Sequence, residues 1–259
     1  MGREPCRGGG EVAARPVVRT RGACAGRSWR TRDRPAASRA KHRKGRMALY
    51  ALGISTSPRE GGNTDLLLRE ALAGAREAGA RAEYLSLRGL AIAPCSECNA
   101  CARTGLCRIE DDYQAVMARM LEADRLIFAT PIFFMAVSAQ AKLLIDRCQC
   151  LWSRKYVLKQ PLLAEPRDRR GMVIAVGGSK SRKMFQCVRL TMKYWFDAIG
   201  CVYAASLFIN GVDGRGEVVK HGAALAAARR LGRALASADL PPPKEPETVE
   251  LPGGEPAAG

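Results

Sequence analysis

Histidine is nearly absent from this 259-residue chain, which has only His42 and His221. His42 lies in a basic terminal stretch, and His221 reads as a surface residue near the start of the last helical pattern. With nothing else to recruit, no Ser–His–Asp triad can be assembled, and no paired-carboxylate arrangement stands out. No apolar run is long enough to span a membrane. The apolar core of a secretory signal, roughly 7–15 residues, is missing too. There is no internal repeat. The Gly-Lys-Ser/Thr ending of a P-loop and the GxGxxG fingerprint are both lacking. What remains is the expectation of a soluble, cytoplasmic protein whose chemistry is not carried by acid–base side chains.

Apolar residues, by contrast, make up 47% of the chain, enough for one α/β domain with a substantial core. The formal net charge of +17 is unevenly placed, because residues 1–46 hold 14 Lys/Arg against 3 Asp/Glu while the rest hold 28 against 22. That first segment is rich in Arg, Gly and Ala, lacks apolar periodicity and is expected to be disordered. Its composition suits a transit peptide or a nucleic-acid-binding arm, although Trp29 is its lone aromatic. Met47 directly opens the first apolar run, so translation is expected to begin there. Residues 239–259 are rich in Pro, Glu and Gly and read as a disordered tail. The domain is therefore expected over residues 47–238.

Within it, apolar runs alternate with helical patterns, which predicts a parallel sheet covered on both faces. Strands are expected at about 47–52, 82–87, 125–129, 172–176 and 202–209. Helices are expected at about 64–77, 112–122, 138–152 and 217–236, with another carrying Met184 through Ile199. Five strands with intervening helices fit a flavodoxin-like doubly wound sheet of order 2-1-3-4-5. A ligand in such a sheet sits beyond the carboxyl ends of the strands, at the switch between strands one and three. Three loops, 53–64, 130–136 and 177–183, would converge there.

The first of these loops reads Gly-Ile-Ser-Thr-Ser-Pro-Arg-Glu-Gly-Gly-Asn-Thr. Its hydroxyls (Ser55, Ser57, Thr64), guanidinium (Arg59), carboxamide (Asn63) and glycines suit one oxyanion held at a helix N-terminus. An ordinary polar turn capped by Asn63 or Thr64 would have the same composition. In the loop after strand two, Cys95, Cys98, Cys101 and Cys107 form a C-x2-C-x2-C-x5-C pattern. A disulfide framework does not suit a chain without an export signal. Zinc ordinarily takes two C-x2-C pairs separated by a longer span. Overlapping steps on one short loop match a [4Fe–4S] cube better, with Gly105 supplying the turn that returns Cys107. Zinc or free thiols stay open as alternatives. Cys148 is expected in the core, while Cys150 and Cys187 have no evident place. Asp146 and Arg147 read as an exposed structural pair.

These residues resemble a known family. Residues 55–64 look like the FMN phosphate loop of the NADPH-dependent FMN reductase-like flavoproteins. Pro131-Ile-Phe-Phe, followed by residues 138–147, resembles their second signature. The four-cysteine loop with Asp111-Asp112 behind it resembles the iron–sulfur flavoprotein branch. The resemblance implies non-covalent FMN, its phosphate held by Ser55, Ser57, Arg59, Asn63 and Thr64. Pro131, Ile132, Phe133 and Phe134 would lie along the isoalloxazine, and Gly177 and Gly178 would let backbone approach its other side. It implies Cys95, Cys98, Cys101 and Cys107 as cluster ligands, and a homo-oligomer, dimer or tetramer. The sequence departs from the family at Glu97, where a Gly is common and where a side chain could strain the loop. It departs again at Phe133 and Phe134, where a phenol is frequent, at Met135 and Ala136, and in the basic run Lys180-Ser-Arg-Lys183.

The implied function is an FMN-dependent oxidoreductase passing electrons between cluster and FMN to a small acceptor such as a quinone or an oxygen species, with a ferredoxin as donor. A cluster-free NAD(P)H-dependent FMN or quinone reductase is the alternative; Arg182 and Lys183 could meet a nucleotide phosphate there but read better as a solvated helix start. A redox sensor is a second alternative, in which the basic arm would touch nucleic acid.

Overall fold

The computed structural model describes residues 48–237 and 240–252. The expected basic extension and Met47, and the last seven residues of the tail, lie outside them. The chain opens with β1 (Tyr50–Ser55), α1 (Asn63–Glu77) and β2 (Arg81–Ser86). The cysteine loop follows and contains a single-turn helix, α2 (Cys101–Thr104). After it come α3 (Tyr113–Glu122), β3 (Arg125–Phe133), β4 (Ala136–Val137), α4 (Ala139–Arg147) and α5 (Gln149–Trp152). The chain ends with β5 (Arg170–Gly177), α6 (Phe185–Ala198), β6 (Val202–Asn210), α7 (Gly222–Ala236) and β7 (Glu247–Pro252).

Six of the strands form a parallel sheet in the order β2-β1-β3-β5-β6-β7, and β4 pairs antiparallel with the end of β3. The expected count of five strands is thus corrected to seven, and the five-strand order to this longer one. Both additions have physical reasons. Pro131, Ile132 and Phe133 continue β3 instead of forming a loop, and a two-residue turn folds Ala136 and Val137 back on them. The tail, expected to be disordered, supplies β7. Its Val249 and Leu251 pack on the core, while Glu250 pairs with Arg182 and Arg189 and Glu247 with Arg230. A Thr-Val-Glu-Leu alternation is too short to stand out in a Pro- and Glu-rich background. Against the open edge of β6 it suffices.

The sheet is buried on both faces, and the alternation of side chains along its strands divides the core in two. Leu126 and Phe128 of β3 point to one side, with Leu52, Ile54, Val173 and Phe208, under α3, α4, α5 and α6. Ile127 and Ala129 point to the other, with Ile174, Leu207 and Ile209, under α1 and α7. Helix α1 presents Leu67, Leu68, Ala71, Leu72 and Ala75 to the sheet, the stripe of a half-buried helix. It crosses α7 with Gly74 and Gly232 at the contact, where an added Cβ would meet backbone at 1.9 Å in both cases. Two expected helices are interrupted. That of 138–152 starts after its N-cap Ser138, whose Oγ accepts the Ala141 N–H, and breaks at Cys148 into α4 and α5. That of 217–236 has one 3-10 turn, Glu217–Lys220, before His221 departs from helical geometry and α7 begins. Among the described residues, no helix is long and apolar enough to cross a membrane.

Candidate functional site

Where β1 runs into α1, most of the loop's polar groups are engaged in holding its own shape. Ser55 donates its hydroxyl to Asp65, a carboxylate fully buried in the first turn of α1, and its oxygen accepts the Ser57 N–H at 3.4 Å. Asp65 also accepts the Gly61 N–H at 3.0 Å, with the Arg88 guanidinium 3.8 Å away. Ser57 Oγ accepts the Arg59 N–H at 3.1 Å and donates to the Arg59 carbonyl. The start of α1 is left open: Gly62 is its N-cap and no side chain caps it. Asn63 and Thr64 are therefore not caps. The Asn63 carboxamide reaches across to the β6–α7 connection, donating to the Gly214 carbonyl at 2.9 Å and accepting the Val218 N–H at 3.0 Å. Uncapped N–H groups at the positive end of a helix dipole are an anion site.

A cleft of about 60 Å³ opens beside this helix start. Ser57, Arg59, Asn63, Thr64, Pro131, Ile132, Phe133, Gly177 and Gly178 line it. Ser55 stands behind the loop. Phe134 is fully exposed at the tip of the β3–β4 hairpin. There, Phe134 and Met135 take φ of 48° and 63°, the left-handed pair of a type I′ turn built from two bulky residues. Such residues are strained by about 1–2 kcal/mol each. Gly177 and Gly178 form a wall without side chains, and a Cβ on Gly178 would come within 2.9 Å of Asp213 Cβ. The sequence reading missed the β6–α7 connection altogether. Arg59 donates to the Asp213 carbonyl at 3.1 Å, and Arg215 answers with bonds of 3.0 and 2.7 Å to the Glu60 carbonyl. Arg182, considered for a nucleotide phosphate, pairs instead with Glu250.

The cysteine loop borders a second, larger cavity, of about 620 Å³, lined by all four loop cysteines and by Arg147, Cys148, Cys150 and Trp195. Cys101 starts α2, which Gly105 ends at φ 71° in the left-handed conformation. Glu97, at φ 52°, occupies a left-handed position where glycine would be unstrained, and Asn99 has φ 55°. The Cys98 thiol is held below the usual thiol range, first by the Ala100 backbone N–H and then by Ser96 and Arg108. All eight cysteines among the described residues are free thiols.

Arg147 overturns the expectation of an exposed pair with Asp146. Asp146 pairs with Lys142 on the surface, while Arg147 is about 1% exposed. It donates to Asp111 at 2.6 Å, to the Ala93 carbonyl at 2.9 Å and to the Ile109 carbonyl at 2.9 Å. Ala93 and Ile109 bracket the cysteine loop, so one buried guanidinium ties its two ends together. Burial works against the charge of Arg147, but Asp111 and the neighbouring Cys107 outweigh it and leave its pKa raised. Burial likewise opposes the charge of Asp111, but Arg147 and the N–H groups of Ala93 and Tyr113 bring its carboxyl below the usual range. Cys148 and Cys150 are both buried. Burial pushes the Cys148 thiol up to about 12, and Cys150 sits 3.2 Å from the Tyr113 hydroxyl.

Residues 50–209 match the family model described as NADPH-dependent FMN reductase. The chain belongs to that family of flavin-dependent oxidoreductases. Among curated relatives of this family member, an iron–sulfur flavoprotein of Methanocaldococcus jannaschii is 40% identical over 133 residues, 51% of this chain and 64% of that protein. A Bacillus subtilis protein named as an NAD(P)H-dependent FMN-containing oxidoreductase is 31% identical over 183 residues, 69% of this chain and 93% of its own length. The matched region thus spans less than two thirds of that iron–sulfur flavoprotein. A solved NAD(P)H:quinone oxidoreductase from Methanothermobacter marburgensis shares the fold, with a TM-score of 0.54 at 17% identity over 73% of this chain and 100% of that one.

The family's flavin can be set against the geometry. An uncapped helix start and a glycine wall flanking one cleft suit a phosphate and an approaching ring. For a cluster the geometry has two sides. Among the described residues, no three Cys, His, Asp or Glu side chains are gathered as ligands of one metal ion. Yet the four thiols face one cavity, and two buried N–H donors without a partner, Arg147 Nε and Trp195 Nε1, belong to residues lining it. A cavity furnished with thiols and spare donors fits a sulfur-rich, negatively charged group. Asp65 was not singled out in the sequence, where its one signal is that of an acid in a helix's first turn. Arg147 ended the second signature and read as a surface partner of Asp146, and nothing in the sequence tied it or Trp195 to the cysteine loop.

Proposed function

We propose that this family member binds FMN in the strand-end cleft and a [4Fe–4S] cluster in the cysteine cavity, and reduces a small acceptor such as a quinone or an oxygen species. The observation that carries the flavin assignment is the open start of α1, an anion site at the switch point between β1 and β3. Bound there, FMN would supply the redox chemistry, exchanging electrons singly or in pairs, and the cluster would exchange them one at a time. The chain's own residues bind and orient. The N–H groups opening α1, with Thr64, Ser57 and Arg59, would hold the phosphate, while Ser55 and Asp65 keep the loop in shape for it. Ile132 and Phe133 would lie against the ring, with Gly177 and Gly178 on the opposite wall. Cys95, Cys98, Cys101 and Cys107 would supply one thiolate each. A homo-oligomer and a ferredoxin donor belong to this proposal.

A second reading, an NAD(P)H-dependent reductase without a cluster, is favoured by the ungathered thiols and by the length over which the Bacillus subtilis relative matches. The two are separated by the iron, sulfide, zinc and FMN contents of protein purified without oxygen. About four irons and four sulfides per FMN are expected. FMN without iron or sulfide would leave the NAD(P)H reductase, and a protein without flavin would remove both readings.

A further inference from the structure

The described residues contain three buried side-chain polar atoms without a hydrogen-bond partner: Tyr84 Oη, Arg147 Nε and Trp195 Nε1. Tyr84 lies on β2. The other two belong to residues that line the cysteine cavity from different helices, α4 and α6. Trp195 is about 3% exposed and Arg147 about 1%, so water does not satisfy these donors. Leaving a buried N–H unpaired costs about 1–3 kcal/mol, and native interiors rarely tolerate it without a reason.

Both donors are held in place rather than free to turn away. The Trp195 indole packs between Phe128, with ring centroids 4.8 Å apart, and Phe196, at 5.2 Å. The Arg147 guanidinium lies over the Tyr113 ring, 4.6 Å from its centroid, and its terminal nitrogens are engaged by Asp111, Ala93 and Ile109. Its Nε is the donor left over. Sulfur surrounds the pair: the Cys107 thiol interacts with the Arg147 guanidinium and the Cys148 thiol with the Trp195 indole, though neither contact reaches hydrogen-bond geometry at Nε or Nε1.

We propose that Arg147 Nε–H and Trp195 Nε1–H are a built-in donor pair that hydrogen-bonds the sulfur atoms of the group bound in the cysteine cavity and so raises its reduction potential. The inference rests on the cluster reading above and adds two residues to it. Each N–H···S bond strengthens as negative charge accumulates on sulfur, so the reduced state gains more than the oxidised one. Arg147 adds a full positive charge to its bond. Both act as positioning and tuning residues, since the thiolates are the ligands.

The test compares wild type with Trp195→Phe, which keeps the aromatic packing and deletes the donor, and with Arg147→Lys, which keeps the charge and deletes Nε–H. Iron, sulfide and FMN contents and the visible spectrum of oxygen-free protein are read first, followed by a redox titration of cluster and flavin bands. Trp195→Phe is expected to load like wild type and to lose about tenfold in its reduced-to-oxidised cluster ratio at fixed solution potential, about 59 mV for one electron. Arg147→Lys shifts in the same direction, and the flavin bands titrate as in wild type. Full loading with an unmoved cluster titration in Trp195→Phe would overturn the inference and leave the cluster reading standing. Wild-type protein with FMN but no iron or sulfide overturns the cluster reading, and the inference with it.

Discussion

The loop that opens the strand-end cleft and the loop that carries the cysteines are similar in polarity, but they are shaped over different distances. In the first, Ser55 bonds Asp65 ten residues on, Gly61 bonds the same carboxylate four residues on, and Ser57 and Arg59 close a turn two residues wide. In the second, a guanidinium 54 residues from Ala93, 38 from Ile109 and 36 from Asp111 joins the loop's two ends. Local bonds set the turn of one loop as the chain enters the helix, and bonds to the β6–α7 connection, from Asn63 to Gly214 and from Arg59 to Asp213, then dock that preformed turn. The other takes its shape only once α4 has packed beneath it. A short-range loop costs little chain entropy to close, whereas the cysteine loop depends on contacts that exist only in the folded core.

That contrast predicts unequal consequences for the residues that set each loop. Arg147→Leu should have the largest effect, a loss of about 3–5 kcal/mol, because it strands the Asp111 carboxylate and frees both ends of the cysteine loop. Urea unfolding followed by tryptophan fluorescence would measure it, and a loss under about 1 kcal/mol would erase the distinction between the loops. Asp65→Asn comes next. It replaces a charged acceptor of two hydrogen bonds by a neutral one, at about 1.5–3 kcal/mol, and FMN affinity should fall at least about tenfold. Calorimetry of FMN binding would show whether the cleft depends on this local bond.

The Asp111 tie also has a pH signature. Its folded pKa is depressed, so its contribution is complete above the unfolded value of about 3.9 and disappears as pH falls through the lower, folded value. Protection of residues 93–109 against hydrogen exchange, relative to intrinsic rates, should therefore hold down to about pH 4 and fall below it. Asp111→Asn should show low protection across the whole range. The smallest effect is expected at Glu97, which sits at φ 52°. Glu97→Gly relieves left-handed strain but adds freedom to the unfolded chain, for a net gain of no more than about 1 kcal/mol. Thermal unfolding would register it as a slight rise in Tm.

Much of the fold was readable because its signals are periodic. Apolar runs marked β1, β2, β3, β5 and β6, and stripes such as Leu67–Ala71–Ala75 marked the helices between them. The missed strands, β4 and β7, have two and six residues and exist only because a neighbouring edge accepts them. The polar loop between β1 and α1 was readable from its composition. The fate of its groups was not: Ser55 turned to Asp65, and Asn63 reached across to Gly214 instead of capping its own helix. The family resemblance placed Phe134 along the ring, yet the type I′ turn leaves it fully exposed and outside the cleft's lining.

By itself, then, the sequence determined an α/β sheet covered on both faces, a polar, glycine-containing loop ahead of α1 and four thiols on one short loop. Those follow from side-chain periodicity and residue chemistry, which act over a few residues at a time. Tertiary structure alone decided that Arg147 leaves the surface to tie the cysteine loop, and that Cys148, Cys150 and Trp195 join those thiols around one cavity. It also decided that a Pro- and Glu-rich tail completes the sheet. Each depends on groups far apart in the chain, whose pairing is favourable only where burial has removed water as the competing partner.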